Sequence, residues 1–141
     1  MRGIILAVLL GVAAPAAASE GAGPEALRGS WTAIEAHRNG AAAAELVGHR
    51  LEFDGQTFRI AAADGSPLYA GRYAVDAAHE PARIDFTNEA GEAQGTTWEG
   101  IYRLEGDRLT IVDDAPDPEK GRPTDFAAAS GSGHVMIVFQ R

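Results

Sequence analysis

TTWEGIYRLEGDRLTIV, residues Thr96–Val112, decides the fold. Trp98, Gly100, Tyr102 and Leu104 alternate with Thr97, Glu99, Ile101 and Arg103, and a period of two is the signature of a strand. Gly106-Asp107 follows, a glycine-first pair suited to a two-residue type II′ turn. A turn there sets Leu104 against Leu109 and Tyr102 against Ile111, so four apolar side chains share one face. A slip of one residue would carry that face into solvent, so the register is self-enforcing. The stretch reads as one hairpin of an antiparallel β-protein.

Working outward, further short runs alternate in the same way. Leu27–His37 carries Leu27, Gly29, Trp31 and Ala33 on one parity, with Ile34 and Glu35 blurring the pattern. Asn39-Gly40 is a turn, and Ala41–Val47 is rich in helix formers and ends at Gly48, which predicts a short helix. Arg50–Phe53, Thr57–Ala61, Leu68–Asp76 and Pro81–Phe86 are strands separated by Asp54-Gly55, by Asp64–Pro67 and by a short polar stretch. Asp113–Asp125 reads as an acidic, proline-rich solvated loop. His134–Arg141 is the last strand, with Val135, Ile137 and Phe139 inward. Eight antiparallel strands predict an all-β barrel that removes its own edges, with one short helix after the first strand. A two-sheet sandwich fits the strand count nearly as well. At eight strands a barrel is either filled or holds one small ligand.

Composition bounds the function. Met1-Arg2-Gly3, the apolar run Ile4–Val12 and the small residues before Ser19 read as an export signal cut after Ala18, which places the protein in the periplasm or outside the cell. The apolar run is too short for a membrane span, which needs about 20 residues. Residues 19–26 read as a linker and 27–141 as one domain. Without residues 1–18 the chain has 11 basic against 20 acidic residues, which disfavours nucleic acid and anionic membrane surfaces as partners. There is no cysteine, so neither a disulfide nor a thiolate site is possible.

Gly29-Ser30-Trp31 resembles the G-x-W signature of lipocalins. That resemblance implies that Trp31 closes one barrel end and that Arg141, from the last strand, lies over its indole. A broader match runs through LRGSWTAIEAHRNG (27–40), LYAGRYAVD (68–76), PARIDF (81–86), GTTWEGIYRLEGDRLTIV (95–112), GRPTDF (121–126) and VFQR (138–141). In this order the blocks resemble a bacterial lipocalin-like domain family, abundant in planctomycetes, with GxW, P-x-x-ID, GIYxLxGDxL and RPxxF blocks. The resemblance implies the barrel and carries no activity with it. Relatives often have cysteine where this chain has Asp113, so any thiol-dependent property of theirs is lost here.

No catalytic, cofactor or metal site emerges. His37, His49, His79 and His134 are scattered, with no His-x-x-x-His pair. Asp113, Asp114, Asp117 and Glu119 lack calcium-loop spacing. Ser130–His134 lacks G-x-S-x-G and a placed acid. Asp85 and Glu99 are candidate paired acids, but parity points Asp85 outward. Arg122 and Phe126 read as a structural clasp, the arginine or Asp125 tying its loop to the wall and the phenylalanine covering a barrel end. The expected role is a binding module for a small, partly apolar ligand walled by Phe53, Phe58, Tyr73, Phe86, Tyr102 and Ile111. The alternative is a solid-cored barrel that contacts an envelope protein. An enzyme ranks third, for want of an acid–base pair. A void of roughly 300 Å³ or more separates the first two readings.

Overall fold

The computed structural model describes residues 22–141; the export signal and its cleavage after Ala18 lie outside them. The chain forms a helical turn α1 (Pro24–Leu27), then β1 (Gly29–Arg38), β2 (Ala41–Ala42), β3 (Arg50–Phe53), β4 (Thr57–Ala61), β5 (Pro67–Asp76), β6 (Ala82–Gly91), β7 (Thr97–Glu105), β8 (Arg108–Asp113) and β9 (Val135–Gln140). Apart from β2, each strand pairs antiparallel with the next, and β9 returns to pair with β1. The result is a closed eight-stranded, lipocalin-like barrel with one two-residue extra strand, and the sandwich alternative falls.

The β7–β8 hairpin has the register its sequence sets: Glu105 opposes Arg108, Leu104 opposes Leu109 and Tyr102 opposes Ile111. Gly106 takes the first turn position at φ +63°, a conformation in which only glycine avoids a steric cost. All four apolar residues of that face are buried.

In β1 the blurred pattern at Ile34 is a bulge. Ala33 opposes Phe139 and Glu35 opposes Val138, which leaves Ile34 as the extra residue, exposed on the outer face. Parity therefore switches. Trp31 and Ala33 point inward before the bulge, and Ala36 and Arg38 share the inward side after it, opposite Ile137 and Val135.

Two local expectations are corrected. The helix expected over Ala41–Val47 is only a 3₁₀ turn at Ala44–Leu46. Asn39 and Gly40, at φ +51° and +83°, reverse the chain at once, so Ala41 and Ala42 pair back onto Arg38 and His37. Too few residues remain before Gly48 to repay helix nucleation, whatever the propensity of alanine. The stretch read as linker, 19–26, ends in structure: Pro24–Leu27 forms α1 across its boundary with the domain, and Leu27 is fully buried at the barrel end.

That end is shut. Trp31 is wholly buried, and its indole N–H donates to Leu27 O at 2.9 Å. The Arg141 guanidinium carbon lies 4.2 Å from the ring centroid, as the resemblance implied. Its Nη1 donates to Ala26 O and Arg28 O at 3.2 and 3.3 Å, so the arginine ties the last strand to α1 as well. The Tyr102 hydroxyl donates to Ala22 O.

Candidate ligand cavity

Inward residues divide by their height along the barrel. Beside the shut end, Phe53 meets Tyr73 at 4.5 Å between centroids and Phe86 at 6.1 Å, while Phe58 meets Phe86 edge-on at 4.9 Å. These rings fill their half of the interior with tilted and edge-to-face contacts. The opposite half is hollow, with a cavity of about 430 Å³ opening at the far end. Its apolar wall includes Leu51, Ile60, Tyr69, Trp98, Ile111 and Phe139. Trp98 holds Tyr69 edge-on at 5.0 Å and reaches Phe86 at 6.2 Å, linking cavity wall to filled half.

Of the six residues expected to wall a ligand, Phe86 and Ile111 do so. Phe53, Phe58, Tyr73 and Tyr102 instead belong to the packed core beside Trp31. Parity assigned all six correctly to the interior, and all six are buried. Height along the barrel separates them. Phe53 opposes Gly29 two residues before Trp31, and Tyr102 lies near the turn that Arg141 caps through its N–H to Asp107 O. Leu51, Ile60, Tyr69, Trp98 and Phe139 were missed, although each has inward parity.

The acidic group at the wall was missed for a different reason. The sequence reads Asp113 as the start of a solvated loop. Pairing instead carries β8 one residue past Val112, so Asp113 opposes Gly100 on one side and Val135 on the other. It has the inward parity of Leu109 and Ile111, lines the cavity and is only 7% exposed. Gly100 makes the room: a Cβ there would come within 2.7 Å of Val112 O and 2.9 Å of the Asp113 Cβ. Asp113 Oδ1 accepts the Ala115 N–H at 2.9 Å. Burial, reinforced by the neighbouring Asp114 carboxylate, pushes its pKa up to about 7. Asp114 is buried too, its Oδ1 accepting the Glu99 N–H at 2.8 Å.

At the cavity mouth stand Arg38, His49 and Glu92. The β1 bulge puts Arg38 there, and its guanidinium pairs with Glu45. The other histidines are elsewhere: His37 pairs with Glu35 at 2.9 Å, His79 Nδ1 is 3.2 Å from Pro81 O, and His134 Nε2 is 3.0 Å from Gly121 O. Among the described residues no group of three or more His, Asp or Glu side chains is arranged to hold a metal ion. Ser132 Oγ accepts the His134 backbone N–H at 3.1 Å, which makes that serine part of a turn.

The clasp lies on the outer wall. Asp85 and Glu99 oppose one another across β6 and β7, both outward. Arg122 bridges them, with Nη1 2.8 Å from Asp85 Oδ1 and Nη2 3.9 Å from Glu99 Oε2, and it donates to Gly100 O at 2.8 Å. The paired acids are thus neutralised by the loop they anchor. Phe126 does not cover a barrel end as expected. It lies under Arg103, 4.3 Å from guanidinium carbon to ring centroid, on the outer face of β7, because the loop runs down the wall instead of across the opening.

Comparison with protein-family models, curated proteins and solved structures returns no match. The reading of the cavity rests on its geometry.

Proposed function

We propose that this chain is an exported binding module whose barrel carries one small, partly apolar ligand. The observation that supports this most is the 430 Å³ cavity, which lies within the size range of small-molecule sites. Apolar walls with a few convergent polar groups are the usual composition of such a site. A solid-cored interaction barrel would have no reason to leave Tyr69 and Trp98 facing space. The six ordered sequence blocks support placing the chain with the bacterial lipocalin-like family, and the basic, then apolar, then small-residue start supports export.

Titration with N-phenyl-1-naphthylamine, a neutral apolar dye that brightens on leaving water, tests the cavity. The wild-type protein should bind one equivalent. Ile60→Trp, which fills the mouth side of the cavity, should weaken binding tenfold or more while keeping a cooperative melting transition. Absence of binding to wild type, or equal affinity in a folded Ile60→Trp protein, contradicts the reading.

A further inference from the structure

Given that the cavity holds a ligand, we infer that this ligand is a compact apolar amine whose ammonium group sits on Asp113. Among the described residues, Asp113 is the one acid set into the cavity wall at inward parity and almost fully removed from solvent, and Oδ1 already serves the Ala115 N–H. Oδ2 receives no donor from the described residues, and among them no cation forms an ion pair with this carboxylate.

The surrounding charges favour a cation. Asp114 is the next residue and is buried beside it. Of the charged and titratable groups at the mouth, Glu92 is acidic, Arg38 is committed to Glu45, and His49 lies at the rim without pairing with Asp113. A buried carboxylate without a counter-charge is costly, and a bound ammonium removes that cost while donating to Oδ2. A ligand carboxylate would meet like charge at close range. A hydroxyl supplies a donor and leaves the charge unpaired. The rings of Tyr69, Phe86 and Trp98 in the cavity wall suit the apolar body.

Three indoles of the same ring and similar reach decide it: tryptamine, tryptophol and indole-3-acetate, measured by calorimetry at pH 8 beside N-phenyl-1-naphthylamine. Tryptamine should bind at least tenfold more tightly than tryptophol, with indole-3-acetate weakest. Asp113→Asn keeps the acceptor for Ala115 and removes the charge, so it should abolish the tryptamine advantage over tryptophol. Dye binding without a tryptamine preference, or a preference that persists in Asp113→Asn, overturns this inference and leaves the cavity reading standing. Failure of the dye and all three indoles to bind wild type overturns both. If Asp113→Asn does not fold, the wild-type ranking alone decides.

Discussion

Trp31→Ala should cripple folding, because the indole fills the shut end of the barrel and has no solvent contact. Removing a buried tryptophan costs about 3–5 kcal/mol, set against a total stability of about 5–15 kcal/mol for a domain of this kind. The lost donor leaves Leu27 O short of a partner, and α1 loses the surface it packs on. Arg141→Ala should cost less, about 0.5–2 kcal/mol for the cation–π contact, plus the tie to Ala26 O and Arg28 O. Because the two side chains share one contact, their effects should not add, and urea unfolding of the single and double variants measures the shortfall. Trp31→Leu, which keeps an apolar side chain and removes the aromatic face, serves in the cycle if the alanine variant does not fold. Additivity within about 0.3 kcal/mol would mean that the guanidinium contributes nothing through the ring.

Stability should fall as pH rises from about 4 to 7, and Asp113→Asn should remove most of that fall. The folded protein holds Asp113 protonated up to about pH 7, against an ordinary value of 3.8 once unfolded. Below pH 3.8 both states are protonated and the site carries no cost. Between the two values the unfolded carboxyl ionises freely while the folded one resists, so stability drains away, reaching a full loss on the order of 4 kcal/mol above pH 7. The variant should match wild type near pH 4 and melt well above it at pH 8. Asp114 is raised in the same direction and stays in both proteins, so the difference between them reports Asp113 together with its coupling to Asp114. Asp54 has the opposite sign, held down to about 2 chiefly by the Thr57 hydroxyl and backbone N–H, and it acts only below pH 4. An equal melting difference at pH 4 and pH 8 would contradict the burial of this carboxyl.

Local alternation carried the architecture. The Thr96–Val112 register, the strand boundaries near Phe53, Phe58 and Asp76, and the meeting of Trp31 with Arg141 all follow from which residues must leave water together. Ile34 disturbed the pattern because it is a bulge, and a bulge is a parity switch that the sequence registers only as a defect. The polar half of β6, Thr87–Gly91, has no apolar alternation of its own and is a strand because β5 pairs with it.

The site was less legible, for two physical reasons. Parity tells inside from outside but not top from bottom, so Phe53 and Tyr73 near the plug looked equivalent to Tyr69 and Trp98 around the void. Asp113, in turn, looked like the first residue of an acidic loop, because charge ordinarily marks a chain leaving the core. Its inward position depends on the space left by Gly100 on the neighbouring strand, a nonlocal fact that no window around residue 113 contains.

The central claim is that the hollow end of this barrel holds a molecule. A native mass spectrum of the protein purified from the organism that makes it reads this directly, and the same spectrum after denaturation reads whether the chain begins at Ser19. The expected result is one discrete adduct per chain, a few hundred daltons or less, lost on denaturation and absent from Ile60→Trp. A bare chain mass in the native spectrum, from a protein that also fails to take up N-phenyl-1-naphthylamine, would contradict it.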